Sequence, residues 1–186
     1  MLKKDLRSKY AQLRLQLTLE DLDNLSLKIS NKLLELPIWN NFQLFHIFMS
    51  ISEKKEIDTS YILTVLQGKD KDIVIPKMQG DILKHYLLTD NTRLVKNKWG
   101  VPEPVDGIAL TAEQMDVVFV PLLAYDTKGN RVGYGKGFYD SFLKACKPHV
   151  IKIGLSLFEP EEIIEDTREE DIPLDYCVTP NNIYAF

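Results

Sequence analysis

The chain has few of the residues that build disulfide frameworks, zinc sites or membrane spans. It contains 2 cysteines and 3 scattered histidines among 186 residues, too few for a disulfide framework or a histidine-cysteine zinc site. Its longest apolar runs, Leu44–Ile51 and Val117–Leu123, are far shorter than the roughly 20 residues of a membrane helix. The first residues contain no apolar segment typical of a signal peptide. We therefore predict a soluble, reduced, cytoplasmic protein.

Charge of one sign is not in large excess either. The chain carries 23 basic and 27 acidic residues, a net charge of -4, and 45% of its residues are hydrophobic. This balance is typical of a globular protein and argues against one that coats nucleic acid or an anionic membrane. It still permits a local pocket for a small anion. The length predicts a single domain over residues 1–186, and we expect a monomer.

The hydrophobic pattern alternates between helical and strand periods. Leu6, Tyr10, Leu13 and Leu17 recur at helical spacing, and a second helix, capped near Thr18, ends before residue 37. Further helices are predicted over residues 59–66 and 138–146. Strands are predicted over residues 43–51, 72–76, 82–88, 116–120, 150–157, 176–179 and 183–186, with 82–88 in an accessory hairpin and 89–110 mostly loop. Such alternation predicts an α/β fold with a largely parallel sheet.

A glycine-rich loop follows the most apolar of these strands. Three glycines alternate over residues 133–137, with Arg131 and Lys136 beside or between them. Such a run can turn backbone N–H groups toward one point, and the following helix adds its positive end. The P-loop pattern does not match, because Gly137 follows the lysine, and the dinucleotide pattern fails at Phe138. The loop predicts a phosphate site, although a hairpin whose glycines serve only turn geometry remains an alternative.

Asp140 lies just after this loop, in the first turn of the predicted helix. A carboxylate at this position is ordinarily just favourable with the helix dipole and needs no ligand to explain it. Beside a bound phosphate it would repel the ligand unless a hard cation lay between them, so the position favours Mg²⁺ ligation.

The loop also carries a specific resemblance. Residues 129–140 are G-N-R-V-G-Y-G-K-G-F-Y-D, and this segment resembles G-x-R-L-G-x-G-x-G-Y-Y-D, the signature of the 5-formyltetrahydrofolate cyclo-ligase (methenyltetrahydrofolate synthetase) family. The chain departs from it at Val132 and at Phe138, where a tyrosine hydroxyl is missing. The resemblance extends from the first residues to about Thr179.

The resemblance implies an ATP site on the first helix and the glycine-rich loop. Lys3 to Arg7 resemble the family's K-x-x-L-R, and Lys3 and Arg7 share one helix face. The implied ATP contacts are Lys3, Lys4, Asp5, Leu6, Arg7, Arg131, Val132, Gly133, Tyr134, Gly135, Lys136, Gly137, Phe138 and Tyr139. Among them, Arg131 and Lys136 are the candidate catalytic residues.

It also implies a folate site and a metal site. Besides the loop residues Tyr134 to Tyr139, the implied folate contacts are Met49, Glu56, Trp99 and Glu103; ordinary loop charges are the alternative for the two glutamates. Asp140 and Asp175 are the implied Mg²⁺ ligands, the latter from D-I-P-L-D over residues 171–175. Glu170 stands where the family has histidine.

The implied fold is a three-layer α/β/α sandwich similar to the ribose-5-phosphate isomerase and CoA-transferase folds. The implied reaction converts 5-formyltetrahydrofolate and ATP to 5,10-methenyltetrahydrofolate, ADP and phosphate. Two alternatives remain at this point. One is a sugar-phosphate isomerase or acyl-transferase on the same fold, and the other is a nucleotide-binding module without chemistry.

Overall fold

The computed structural model describes residues 1–186 as four α-helices and twelve β-strands. The helices are α1 (Lys3–Gln16), α2 (Leu19–Leu33), α3 (Ser60–Gly68) and α4 (Phe138–Ala145). The strands are β1 (Leu44–His46), β2 (Asp72–Gln79), β3 (Ile82–Leu88), β4 (Leu94–Lys96), β5 (Pro102–Pro104), β6 (Ala109–Leu110), β7 (Val117–Pro121), β8 (Ala124–Tyr125), β9 (Arg131–Val132), β10 (Ile151–Leu155), β11 (Tyr176–Val178) and β12 (Ile183–Ala185).

The helix boundaries follow local sequence signals. Thr18 caps α2: its hydroxyl accepts from the Asp21 N–H, and the Asp21 carboxylate accepts in return from the Thr18 N–H. This reciprocal pair satisfies two backbone donors that the helix itself leaves free. The predicted helices over the first 36 residues and over residues 59–66 and 138–146 are confirmed, with ends shifted by a few residues.

Eight strands form the central sheet, in the order β12-β11-β10-β7-β1-β2-β3-β6. The five inner strands from β11 to β2 run parallel, and β12, β3 and β6 pair antiparallel at the two sides. The prediction of a mostly parallel α/β sheet is confirmed. The strand predicted at residues 82–88 is confirmed as β3, and it forms a hairpin with β2. This hairpin belongs to the central sheet and is not an accessory to it. The segment expected to be loop contains β6 and a separate β4–β5 hairpin.

The sheet is covered on both faces, which accounts for the apolar strands. On β7, Val117 and Phe119 join the larger core cluster with α2 and α3, whereas Val118 and Val120 join the cluster with α4. Successive strand residues point to opposite faces. The helices therefore form two layers around the sheet, as the resemblance implied.

A third, smaller cluster lies beyond the carboxyl ends of the parallel strands. There α1 packs on the β8–β9 hairpin through six buried residues: Leu6, Tyr10, Leu123, Ala124, Val132 and Ile164. This packing fixes the face of α1 that carries Lys3 and Arg7 next to the glycine-rich loop. None of the four helices has the length and apolar content needed to cross a membrane.

Candidate active site

A cavity of about 1040 Å³ opens at the carboxyl ends of β1, β2 and β7. Its walls come from α1, the segment after β1, the β4–β5 hairpin, the glycine-rich loop and the first turn of α4. In open α/β sheets this edge is where ligands commonly bind, because the loops that follow parallel strands meet there.

The glycine-rich loop presents backbone donors to the cavity. Gly135 and Gly137 have φ angles of +89° and +72°, whereas Gly133 does not have a positive φ. Gly137 is the N-cap of α4, so the loop leads directly into the positive end of that helix. The N–H groups of residues 133–140 donate no hydrogen bond within the protein. Eight consecutive free donors beside a cavity are suited to an anion with many oxygens.

Basic side chains flank these donors. The Arg7 Nε donates to the Gly133 carbonyl at 2.9 Å, which ties α1 to the loop. A Cβ built on Gly135 would lie 3.5 Å from the Arg7 guanidinium, so the arginine crosses close over the loop backbone. Lys136 projects from the loop with an exposed side chain and no carboxylate partner, and Lys3 lines the same cavity.

Two carboxylates approach the same region, held by basic partners. Arg131 Nη2 lies 2.6 Å from Asp140 Oδ1, and Lys3 Nζ contacts Asp171. Burial alone would raise the pKa of Asp171, but the Lys3 hydrogen bond and the charges of Lys3 and Arg131 lower it below its usual value. Burial lowers the pKa of Arg131, and the Asp140 charge opposes that shift. The structure thus places two carboxylates beside the loop, each paired with a basic side chain.

Glu56 is the buried carboxylate of the opposite wall. Its Oε1 accepts from the Tyr134 hydroxyl at 2.5 Å, and its Oε2 accepts from the Ile51 N–H at 2.7 Å. Tyr134 in turn accepts from Arg14 Nη1 at 2.8 Å. Burial and the Glu56 charge raise the pKa of Tyr134, while Arg14 opposes them. Glu56 is 4% exposed and has no ion-pair partner within 4 Å.

The remaining wall is largely apolar and includes an aromatic ring from the β4–β5 hairpin. Trp99 is 45% exposed, with Lys98 Nζ lying 4.2 Å from its ring centroid. Glu103 accepts from the Met78 N–H and from the Asn97 amide, so it also joins the hairpin to β2. The apolar side chains of this wall are Phe48, Met49, Ile51, Pro76, Met78, Leu83, Trp99 and Val101.

Most residues proposed for the site line this one cavity. They are Lys3, Arg7, Met49, Glu56, Trp99, Glu103, Arg131, Gly133, Tyr134, Gly135, Lys136, Gly137, Phe138, Tyr139 and Asp140. Phe138 lines the cavity without the hydroxyl that the family's tyrosine carries. The Tyr139 hydroxyl is buried without a partner, and burial raises the pKa of Tyr139.

Four predicted ATP contacts are not part of the cavity wall. Lys4 and Asp5 are exposed on the other side of α1. Leu6 and Val132 are fully buried in the small cluster between α1 and the β8–β9 hairpin. A helix turns by about 100° per residue, so a run of five consecutive residues cannot present every side chain to one ligand. These four stay predictions, but their side chains do not line the cavity.

The predicted metal ligand Asp175 lies away from the cavity as well. It precedes β11 and lies at the amino end of the sheet, where it pairs with Lys152 Nζ at 2.8 Å and accepts from the Lys152 N–H. Asp140 lies at the opposite end, beyond the carboxyl edge. The carboxylate that approaches Asp140 is Asp171, the first residue of the same D-I-P-L-D motif.

Asp171 and Arg14 are the functional candidates that sequence reasoning missed. The motif contains two aspartates, and only the fold decides which one faces the cavity. Arg14 lies seven residues after Arg7 on the face of α1 that is otherwise apolar. A charged residue on a buried helix face needs a polar partner. The position of Arg14 in the apolar pattern of α1 could therefore have identified it as a candidate.

The cavity is less basic than its loop suggests. Eight basic side chains line it: Lys3, Arg7, Lys54, Lys98, Arg131, Lys136, Lys144 and Arg168. Seven acidic ones do as well: Glu56, Asp81, Glu103, Asp140, Asp166, Glu170 and Asp171. Four of these carboxylates lie on or near the segment 166–171 and the start of α4, so a polyphosphate on the loop would meet negative charge there.

Comparison with known proteins gives a consistent result. A relative from Schizosaccharomyces pombe, described as a probable 5-formyltetrahydrofolate cyclo-ligase, is 31% identical over 180 residues, covering 87% of each chain. The 5-formyltetrahydrofolate cyclo-ligase of Mus musculus is 30% identical, covering 79% of this chain and 76% of its own.

Solved structures agree with the sequence relatives. The 5,10-methenyltetrahydrofolate synthetase of Aquifex aeolicus superposes with a TM-score of 0.86 at 32% identity, over 100% of this chain and 93% of that one. The synthetase of Mycoplasma pneumoniae, at 22% identity, shares the fold with a TM-score of 0.76, over 97% of this chain and 99% of that one.

The signature in the glycine-rich loop and the cavity it borders are thus found in a chain whose relatives match it along most of its length. The sequence model of the 5-formyltetrahydrofolate cyclo-ligase family itself matches residues 1–180. The protein belongs to the 5-formyltetrahydrofolate cyclo-ligase family.

Proposed function

We propose that the cavity carries out the reaction of its family, the ATP-dependent conversion of 5-formyltetrahydrofolate to 5,10-methenyltetrahydrofolate. The enzyme is a ligase, and ATP is its co-substrate. The observation that carries this proposal is the pairing of two different walls in one cavity. Eight free backbone N–H groups lie on one side, and an apolar wall with the buried Glu56 lies on the other.

The loop side has the chemistry to hold the polyphosphate of ATP. Free N–H groups and the α4 N-terminus supply fixed partial charge, and Arg7, Lys3 and Lys136 supply full charges. Each charge-assisted contact is worth roughly 1.5–3 kcal/mol. Because the Arg7 guanidinium is already tied to the Gly133 carbonyl, little reorganisation is needed when the nucleotide binds.

The opposite side has the chemistry to hold a reduced pterin and its aromatic linker. Apolar side chains and the exposed Trp99 ring provide a surface for flat rings. Glu56 keeps lone pairs that are not used by Tyr134 or Ile51, so it can accept from N–H groups at the pterin edge. Met49 lies at the end of the segment after β1, on the same wall.

The reaction needs no protein nucleophile. The formyl oxygen attacks the γ-phosphorus of ATP, ADP leaves, and an O-phosphorylated iminium forms. The N10 nitrogen then attacks the formyl carbon, its proton is lost, and phosphate departs as the five-membered ring closes. The protein brings the two substrates into line and stabilises charge on the transferring group. We assign that stabilisation to the loop N–H groups, Arg131 and Lys136.

Asp140 and Asp171 fit the metal that such a reaction uses. No group of three or more histidine, cysteine or acidic side chains forms a complete cage, but Mg²⁺ is commonly held by one or two carboxylates together with substrate phosphates. Both carboxylates line the cavity beside the loop donors, and the Lys3 hydrogen bond helps to lower the pKa of Asp171. When bound, Mg²⁺ would neutralise phosphate charge that Asp140 and Asp171 otherwise repel.

The direct test mixes the protein with MgATP and (6S)-5-formyltetrahydrofolate and follows the near-ultraviolet absorbance of the methenyl product. We expect an absorbance rise that requires ATP and yields one ADP per product. A protein that binds ATP but leaves it intact with folate present would be a nucleotide-binding module, contrary to the proposal. Turnover of a phosphosugar without ATP would favour an isomerase, a reading that the family relationship does not support.

A further inference from the structure

We propose that Arg14 is a positioning residue for the folate side of the cavity, acting on Glu56 through the Tyr134 hydroxyl. This inference rests on the proposed function, because it assigns Glu56 to the folate. Arg14 lies in the last turn of α1, is 4% exposed and does not line the cavity. It therefore cannot contact the substrate, and any effect on the reaction must pass through its neighbours.

The direction of the hydrogen bonds follows from chemistry. An arginine side chain donates and never accepts, so the Tyr134 oxygen must accept from Arg14 Nη1 at 2.8 Å. The single Tyr134 hydrogen is then committed to Glu56 Oε1. A hydroxyl polarised by a cation is a stronger donor, because hydrogen bonds in a chain reinforce one another. Arg14 thus fixes which way the tyrosine points and strengthens its bond to the carboxylate.

The burial of Glu56 makes the hydrogen bonds from Arg14 through Tyr134 necessary. Glu56 is buried and has no ion-pair partner, and a buried charge without compensation is costly. The Ile51 N–H satisfies one oxygen, and the Tyr134 hydroxyl, backed by Arg14, satisfies the other. The result is a carboxylate held in one orientation before substrate arrives.

Arg14 has a second contact that makes a purely structural role a serious competitor. Its Nη2 donates to the Leu122 carbonyl at 2.5 Å, and its Nε is buried without a partner. The Leu122 bond anchors α1 to the chain after β7. The two roles predict different kinetic effects, because α1 also carries Lys3 and Arg7 on the ATP side. Loosening α1 would raise the KM for ATP, whereas releasing Glu56 would raise the KM for folate.

The experiment compares Arg14→Met, Arg14→Lys and Tyr134→Phe with the wild-type enzyme in the ATP-dependent cyclisation assay. Loss of a hydrogen bond to a charged group should raise the KM for 5-formyltetrahydrofolate by roughly 10- to 100-fold in Arg14→Met. The KM for ATP should stay within about twofold. Arg14→Lys keeps the positive charge on a single donor nitrogen, and its KM for 5-formyltetrahydrofolate should lie between those of wild type and Arg14→Met. Tyr134→Phe should reproduce the folate defect while leaving the Leu122 bond intact.

The double variant Arg14→Met/Tyr134→Phe measures whether the two residues act through the same series of hydrogen bonds to Glu56. We expect it to be no worse than the poorer single variant, because residues in one network are not additive. If Arg14→Met does not fold, Tyr134→Phe and Arg14→Lys still decide the question. A Tyr134→Phe enzyme with the wild-type folate KM would overturn the proposal, as would additive effects or equal rises in both KM values. A wild-type protein with no cyclisation and no folate binding would instead refute the proposed function on which this role depends.

Discussion

Lys136 combines exposure with a fixed backbone position. It stands between Gly135 and Gly137, both in the left-handed region, and its side chain pairs with no carboxylate. Its charge is therefore available to the transferring phosphoryl group. We expect Lys136→Ala to lower kcat by roughly 10²–10³, the scale observed when one preorganised charge stabiliser is lost. The rate of methenyl product formation, followed by its absorbance at saturating substrates, measures the change in kcat.

Lys128→Ala is the matched control, because Lys128 is exposed on the same connection but lies outside the cavity. It should retain wild-type turnover. Equal losses in both variants would assign the effect to general surface charge, and an unchanged kcat in a folded Lys136→Ala enzyme would remove the lysine from the mechanism.

His46 and His85 form a buried pair beneath α4, with 3.2 Å between His46 Nε2 and His85 Nδ1. Burial lowers the pKa of His46 well below its usual value, with a smaller contribution from His85. Burial also lowers the pKa of His85, to about 4. An unfolded histidine titrates near pH 6.5. Below that pH the unfolded chain therefore binds protons at these two histidines, whereas the folded pair stays neutral. The pair therefore costs no free energy of unfolding above pH 6.5, and the free energy of unfolding declines as the pH falls toward 4.

Urea unfolding at a series of pH values measures this decline. We expect His85→Asn, whose side-chain amide can donate to or accept from His46 Nε2, to be less stable than wild type at pH 7.5 but to lose less stability on acidification. His149→Asn, at an exposed position, is the control and should follow the wild-type slope. A wild-type slope in His85→Asn as well would show that carboxylates, and not this pair, govern acid sensitivity.

At the scale of elements, the central strands leave no room for added side chains. Gly154 lies in β10, between β7 and β11, and a Cβ there would come within 2.6 Å of Leu174 Cδ1 and 2.7 Å of Leu122 Cδ2. Gly154→Ala must therefore displace core side chains, and we expect a loss of about 1–3 kcal/mol in unfolding free energy.

Gly68 at the end of α3 provides the opposite case in the same protein. Its Cβ would meet nothing within 4 Å, and its φ is not positive. Gly68→Ala should be neutral or stabilise by about 0.4–1 kcal/mol, because it restricts the unfolded chain. Chemical denaturation compares the two variants directly. Equal stability of both would contradict the tight packing of β10 against Leu122 and Leu174.

The elements themselves were largely predictable. Period and capping signals are local, so α1, α2, α3, α4 and most buried strands were found within a few residues of their ends. The exception is the strand predicted over residues 43–51, because β1 covers only Leu44–His46. The differences were the place of β3 within the central sheet and the short strands β4, β5, β6, β8 and β9, which the sequence did not predict. The pairing of β3 with β2 depends on contacts between strands. Residues 94–96 and 102–104 are too short to show a period, and two of the three residues in the second segment are prolines.

At the scale of the whole molecule, ligand binding should be visible in global stability. A ligand at 100 times its Kd stabilises the folded state by about 2.7 kcal/mol. We expect MgATP to raise Tm more than ATP with EDTA does, because Asp140 and Asp171 repel phosphate that no cation neutralises. Thermal unfolding with ATP plus Mg²⁺ or EDTA measures the difference, and EDTA should also stop turnover.

Two aspartate variants test which carboxylate of the motif serves the metal. Asp171→Asn should remove most of the Mg²⁺-dependent increment in Tm. Asp175→Asn should lower the baseline Tm, because it breaks the pair with Lys152, yet keep the increment. The reverse pattern would favour Asp175 as the metal ligand and contradict the assignment of Asp171.

The sequence alone determined the fold class and the family, and it predicted a phosphate site in the glycine-rich loop. These depend on periodicity and on contiguous residues, which the chain order preserves. Only the tertiary structure decided which members of those segments reach the cavity. It placed Asp171, and not Asp175, at the cavity, turned Lys4 and Leu6 away from the cavity wall and brought Arg14 behind Tyr134. The physical reason is that side-chain direction and the edge of the sheet at which a segment ends are set by long-range packing.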